Sequence, residues 1–246
     1  MENKVNILGV NVDMVTIDEA TDRIMGFFDE EGLHSVFTPN SEIIMAAYRD
    51  EKFAEILNRS DLLTADGIGV VYASRILNKP IGERAAGYDI ACKVLSRINK
   101  TGHKLYLFGG KPGVAEEAMT RLLKEYEGLK IVGLRNGYFK PEEEASIVED
   151  INKSGADIVF VCLGAPLQEK WIDRHKNELN ARVAMGIGGS LDVFAGRAER
   201  APEIFCKTGM EWFYRLCKEP KRAVRMLDLP KFGFTVLTKG RNFKQD

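Results

Sequence analysis

Asp66 and Arg84 are the residues in this 246-residue chain whose types and surroundings are best suited to chemistry. Asp66 ends the apolar stretch Leu62-Leu63-Thr64-Ala65 and precedes Gly67. A carboxylate at the end of a strand can act as general base on a sugar hydroxyl. It can equally cap a helix beginning at Ile68, and one residue can do both. Arg84 lies in Gly82-Glu83-Arg84-Ala85-Ala86-Gly87, where flanking glycines leave a guanidinium free to close over a diphosphate. A departing nucleoside diphosphate gains negative charge as its bond breaks, and a bidentate arginine stabilises that charge best. The bland alternative is a solvated surface arginine.

Two glycine turns, Gly109-Gly110 and Gly188-Gly189-Ser190, follow predicted strands, where a phosphate can approach backbone N–H groups at a helix start. The same glycines also suit plain tight turns. Neither falls in the GxGxxG register and no GxxxxGK[ST] occurs, which disfavours a dinucleotide enzyme and a P-loop ATPase. No Asp-x-Asp pair is present to hold a divalent ion on a diphosphate. The expectation is a site without metal or cofactor, in which side chains and helix ends stabilise the leaving group. His34, His103 and His175 are scattered, and structural or exposed positions are expected for them; Cys92, Cys162, Cys206 and Cys217 form no CxxC pair, so reduced, buried thiols are expected.

The elements that position these residues follow from periodicity. Thr16-Ile17-Asp18-Glu19 reads as a capping box opening a helix to about Glu30. Leu33 to Thr38 is a short strand, and Asn40 caps a helix carrying Ile43, Ile44 and Ala47, followed by a helical stretch from Phe53 to Leu57. Strands at Lys104–Phe108, Lys130–Leu134 and Asp157–Leu163 alternate with helices at Val114–Tyr126, Pro141–Asn152 and Gln168–Leu179, and Val183–Ile187 is a last strand. Apolar strands alternating with amphipathic helices predict an α/β, Rossmann-like, mostly parallel sheet with helices on both faces. Ligands of such sheets bind beyond the carboxyl ends of the strands.

At 45% hydrophobic and 29% charged, with no low-complexity run, the sequence predicts a globular chain rather than a disordered or fibrous one. No apolar run approaches the ~18 residues that crossing a bilayer requires, and the amino terminus lacks the features of a signal peptide, so a cytoplasmic location is expected. The net charge of −1 hides an asymmetry. From Arg197 onward there are twelve Lys and Arg against six Asp and Glu, leaving −7 for residues 1–196. The predicted organisation is an α/β catalytic domain over 1–196 and a basic helical appendage over 197–246. In the appendage, Arg215, Lys218, Arg222 and Arg225 recur beside Trp212, Phe213 and Leu216, although Pro220 must interrupt any single helix. Basic groups beside aromatics suit an anionic membrane surface and a lipid diphosphate. Nucleic acid is the competing partner, disfavoured by the acidic body and the absence of a binding motif.

In their order along the chain, several turns resemble the WecG/TagA/CpsF family of bacterial glycosyltransferases, glycosyltransferase family 26. They are Thr38-Pro39-Asn40, Ala65-Asp66-Gly67, Glu83-Arg84, Leu107-Phe108-Gly109-Gly110, Asn136-Gly137-Tyr138-Phe139, Gly164-Ala165-Pro166-Leu167-Gln168-Glu169, Gly188-Gly189-Ser190-Leu191-Asp192 and Glu211-Trp212-Phe213-Tyr214-Arg215-Leu216. None is specific alone; the ordered set is. The resemblance implies inverting, metal-independent transfer of N-acetylmannosamine from its UDP form to N-acetylglucosamine-diphospho-undecaprenol. The product would be the β-1,4 linkage of the wall teichoic acid linkage unit. Family members that use the corresponding uronic acid, or a glucose donor, for other surface polysaccharides leave the donor sugar open.

Carried onto this sequence, the resemblance makes Asp66 the base, Thr38 and Asn40 the residues beside it, and Arg84 and Gln168 further pocket residues. Uridine and diphosphate are expected near Gly109, Gly110, Tyr138, Gly189, Ser190 and Asp192. Arg215, Arg222 and Arg225 are expected to meet the acceptor's diphosphate at the inner face of the membrane. The resemblance also implies a homo-oligomer. The rival readings from residues alone are a Rossmann-like methyltransferase or dehydrogenase, and a non-catalytic sugar-nucleotide sensor.

Overall fold

Apolar strands whose central members are buried along most of their length force the chain to cover two sheet faces at once. A computed structural model describes residues 3–202, 205, 210, 213–214 and 228–243. It shows six parallel strands: β3 (His34–Phe37), β4 (Leu62–Leu63), β5 (Lys104–Gly109), β6 (Lys130–Arg135), β7 (Ile158–Cys162) and β8 (Val183–Gly186), in the spatial order β4-β3-β8-β7-β5-β6. A separate antiparallel hairpin, β1 (Lys4–Ile7) with β2 (Val10–Asp13), stands outside the strand-then-helix rhythm.

Alternation along the strands divides the interior into two cores. Ile158 and Phe160 of β7 join Leu105 and Leu107 of β5 on one face. Val159 and Val161 join Tyr106 and Phe108 on the other. This is the period-2 consequence of strand geometry. The first face is covered by α1 (Ile17–Gly26), α5 (Gly87–Thr101), α6 (Val114–Glu125) and the short α9 (Ser190–Phe194). The second is covered by α2 (Ser41–Arg49), α3 (Glu51–Asn58), α4 (Ile68–Ile76), α7 (Glu144–Ser154), α8 (Leu167–Arg174) and α10 (Asp228–Lys239). The α/β class with helices on both faces is therefore as expected.

Local signals act as the sequence suggests. Thr16 accepts from the Glu19 N–H while Glu19 accepts from the Thr16 N–H, closing the capping box of α1. Asn40 caps α2 by accepting from the Ile43 N–H at 3.0 Å. Other ends differ. The helix expected to reach Leu179 stops at Arg174, where His175 is held between Glu144 and Glu178. The segment from Arg197 onward contributes α10, and its Phe232 and Val236 are buried against the core beneath α2 and α4. Among the described residues no helix is long and apolar enough to cross a membrane.

Candidate active site

A cleft of about 450 Å³ opens beyond the carboxyl ends of β3, β4, β7 and β8. That is a volume typical of small-molecule sites, in the position where parallel sheets bind ligands. Thr38 and Asn40 enter it from the β3 turn, Asp66 from the β4 turn, and Arg84 from the connection to α5. Gln168, Gly189 and Ser190 complete the opposite wall. Seven of the residues singled out in the sequence thus share one cleft, with the carboxylate and the guanidinium facing the same space.

Backbone geometry places the acid group. The Asp66 N–H donates to Pro39 O at 3.1 Å, fixing the β4 turn against the β3 turn. The Gly87 N–H, at the first residue of α5, donates to Asp66 Oδ2 at 3.4 Å. The alternative role of Asp66 as helix cap is not taken up, because the cap of α4 is Gly67, which makes no side-chain cap bond. Gly87 is glycine for reasons of space: a Cβ there would lie 2.6 Å from Thr38 Oγ1. Thr38, Asp66 and the start of α5 are therefore packed as one unit.

Gln168 is held from both ends. Its Oε1 accepts from the Gly188 N–H at 3.0 Å, and its Nε2 donates to Glu169 Oε1 at 2.9 Å. Glu169 is almost fully enclosed, and burial raises its carboxyl above the usual carboxylate range. Its Oε2 is buried without a hydrogen-bond partner. The amide side chain thus ties the β7 turn to the β8 turn across the cleft floor.

Arg84, 15% exposed, faces Asp89 of α5 with Nη2 to Oδ2 at 3.5 Å. Arg200 pairs with the other oxygen of Asp89, and both Asp89 and Arg200 line the cleft. Sequence reasoning missed these two. Asp89 has the local signature of an acidic residue in a first helical turn. Its partner lies 111 positions away and leaves no local trace. Asp228 at the start of α10 also borders the cleft and pairs with Arg49 at 2.6 Å, bringing the carboxyl-terminal segment to the site's edge.

Gly109, Gly110, Tyr138 and Asp192 do not line the cleft. The Gly109-Gly110 turn is occupied structurally: the Gly110 N–H donates to Cys162 O at 3.1 Å, and Gly109 has φ +131°. These turns form a neighbouring shelf. The Gly137 N–H donates to Gly110 O at 2.8 Å, and a Cβ on Gly110 would sit 3.3 Å from Leu191, next to Asp192. Tyr138 is 67% exposed there. Arg215, Arg222 and Arg225 lie outside the described residues, as do Cys206 and Cys217. Cys92 and Cys162 are free thiols. His34 stacks on Phe27 and His103 on Phe28, as befits structural residues. Among the described residues, no group of three or more His, Cys, Asp or Glu converges as metal ligands would.

Residues 5–246 match the sequence pattern described as the glycosyl transferase WecG/TagA/CpsF family. The chain is 38% identical over 209 residues to the N-acetylglucosaminyldiphosphoundecaprenol N-acetyl-beta-D-mannosaminyltransferase of Bacillus subtilis (strain 168), covering 85% of this chain and 81% of that protein. It is 35% identical over 244 residues to the protein of the same name from Staphylococcus aureus (strain MRSA252), covering 98% of this chain and 95% of that one.

Proposed function

The chain belongs to the WecG/TagA/CpsF family of glycosyltransferases, and on that premise we propose that it transfers N-acetylmannosamine from UDP-N-acetylmannosamine to N-acetylglucosamine-diphospho-undecaprenol. The transfer inverts the anomeric centre, needs no metal, and makes the β-1,4 bond of the wall teichoic acid linkage unit. One observation carries the chemical part of this reading: Asp66, Thr38 and Arg84 line a single nucleotide-sized cleft at the strand ends.

In this reading the donor's sugar and diphosphate occupy the cleft, and uridine extends past Ser190 toward Asp192 and Tyr138. Asp66 takes the proton from the acceptor's 4-hydroxyl as that oxygen attacks the anomeric carbon opposite UDP, so an α-linked donor yields a β product. The packing of Thr38 and Gly87 against Asp66 confines the carboxylate, which is the positional control that general-base catalysis needs. Arg84 stabilises the charge developing on the departing diphosphate, where a preformed cation in a sheltered cleft is most effective. Arg215, Arg222 and Arg225 draw the acceptor's diphosphate and the anionic membrane surface to the protein, which works as a peripheral enzyme at the inner face of the membrane; the homo-oligomer remains what the family resemblance implies.

The test is an assay with a panel of UDP-sugars and a short-chain acceptor analogue, in chelator, read by mass spectrometry. Wild-type protein should form the N-acetylmannosamine product. Asp66→Asn should bind UDP as wild type does and turn over about 10²- to 10⁴-fold more slowly, the range for a lost general base. Near-normal turnover of that variant removes Asp66 from the role, and dependence on added divalent ion overturns the metal-free mechanism.

A further inference from the structure

Arg200 has no role in the reaction as described, yet it lines the cleft that holds Arg84. The two arginines share one carboxylate. Arg84 Nη2 faces Asp89 Oδ2 at 3.5 Å, and Arg200 Nη2 donates to Asp89 Oδ1. Taking different oxygens of one small group, the guanidiniums stand side by side. Asp89 occupies the first turn of α5, where the positive end of a fifteen-residue helix favours a carboxylate.

Arg200 is also held from beneath and from behind. Its guanidinium lies 4.9 Å from the Tyr88 ring centroid, and that ring stacks on Phe194 at 5.0 Å. Burial pushes the Tyr88 hydroxyl far above its ordinary range, so the ring stays neutral. The segment carrying Arg200 is fastened on one side by Arg197, which donates to both oxygens of Glu117 on α6 at 2.7 and 2.8 Å. On the other side Ala201 is 4% exposed. A loose surface arginine would have none of these restraints.

A diphosphate offers more negative charge and more oxygens than Asp89 does, and guanidinium forks match phosphate oxygens in pairs. We infer that Arg84 and Arg200 form a two-guanidinium clamp for a diphosphate, with Asp89 as the positioning residue that sets their spacing. The inference rests on the glycosyltransferase reading above and adds a second cation to it. It also places the first residues of the carboxyl-terminal segment in direct contact with substrate. Nucleotide and prenyl substrates both carry a diphosphate, so the test separates them.

Calorimetric titrations with UDP, uridine and soluble farnesyl diphosphate should be run on wild type, Arg200→Ala and Arg200→Gln, with the melting temperature of each variant recorded. The glutamine keeps a donor toward Asp89 and loses only the charge. The expected result is UDP binding weakened at least about tenfold in both variants, the scale of a lost charged hydrogen bond, with uridine binding within about twofold of wild type. A loss confined to farnesyl diphosphate supports the clamp and assigns it to the acceptor. Unchanged binding of both diphosphates to the variants, with wild type binding UDP, overturns the clamp and leaves the donor reading standing. Equal losses for UDP and uridine also overturn it, since the role would then be structural. Failure of wild type to bind either diphosphate overturns the clamp and the donor reading together.

Discussion

Replacing Gly87 by alanine tests whether packing alone positions the catalytic carboxylate. The added Cβ would lie 2.6 Å from Thr38 Oγ1 and 3.3 Å from both Cβ and Cγ2 of that residue. Rotating Thr38 gives only partial relief, because its Cβ stays 3.3 Å away at any χ1. Against ordinary contact distances of about 3.5 Å the shortfall is close to 1 Å, and the first turn of α5 must absorb it. Such overpacking costs about 1–3 kcal/mol. Alanine returns up to about 1 kcal/mol through backbone entropy. The net loss is therefore roughly 0–3 kcal/mol, a drop in melting temperature of at most about 12 °C for a chain of this size. Turnover should suffer much more. The moving turn carries the Gly87 N–H that reaches Asp66 and the Asp89 that holds Arg84. A displacement of about 1 Å at reacting groups costs about 10²-fold. Initial rates of sugar transfer and thermal melts on the same preparation measure both effects, and Thr38→Ala provides the control. In the Thr38→Ala background, Gly87→Ala should lower the melting temperature much less, because the clashing hydroxyl and methyl are gone and only the 3.3 Å approach to Cβ remains. Turnover of Gly87→Ala within about twofold of wild type would refute the idea that this contact holds the base in place.

Two further predictions concern the scaffold. A Cβ on Gly109 would fall 2.8 Å from Cys162 Cα and closer still to its carbonyl, at a φ of +131° that side chains avoid. Gly109→Ala should therefore cost at least about 3 kcal/mol and lower the melting temperature by about 6–12 °C; a variant that melts normally but binds UDP weakly would make the turn a phosphate cradle instead. Asp61 is partly buried, which raises its carboxyl, but Lys176 at 2.8 Å and the Ser35 N–H at 2.8 Å outweigh this and leave it below the ordinary range. Because the folded value is depressed, the stabilisation is present above the unfolded value of about 3.9 and is lost as pH falls toward the folded one. The melting-temperature gap between wild type and Asp61→Asn should accordingly narrow below about pH 4, and a gap independent of pH would refute the assignment.

Local signals were legible wherever one short stretch decides the outcome. The Thr16–Glu19 box is a reciprocal pair of bonds and the Asn40 cap a single one, each within three residues, and both form. The strand-then-helix alternation likewise survives folding, because the central strands β5, β7 and β8 are buried along nearly their whole length. The β1–β2 hairpin escaped notice although Val5, Ile7, Val10 and Val12 alternate with Asn6 and Asn11. Its turn, Leu8-Gly9, places a leucine at φ 55°, and no turn propensity announces that. Strand Leu62–Leu63 is shorter than the expected Leu62–Ala65, although the Thr64 N–H still donates to Phe37 O at 3.0 Å; the Thr64 hydroxyl donates to Ala85 O at 2.9 Å. That bond spans 21 residues and belongs to the tertiary fold.

The same distinction governs the site. A residue after a strand must lie at the ligand edge of a parallel sheet, so Thr38, Asp66 and Gln168 could be nominated without knowing which strands are neighbours. Which nominees share a cleft depends on strand order. In the order β4-β3-β8-β7-β5-β6, the first four strands bring their turns to the cavity, while the β5 and β6 turns at the far end hydrogen-bond to each other on the adjoining shelf. Gly109, Gly110 and Tyr138 are therefore separated from Asp66 by topology, though their local sequences are as suggestive. Counter-ions are harder still. Asp89 acquires meaning only when Arg84 and Arg200 converge on it, and charged residues on a helix surface are usually solvated. Turn motifs thus identify groups that can touch a substrate, whereas the charges that tune those groups come from pairings made only by the folded chain.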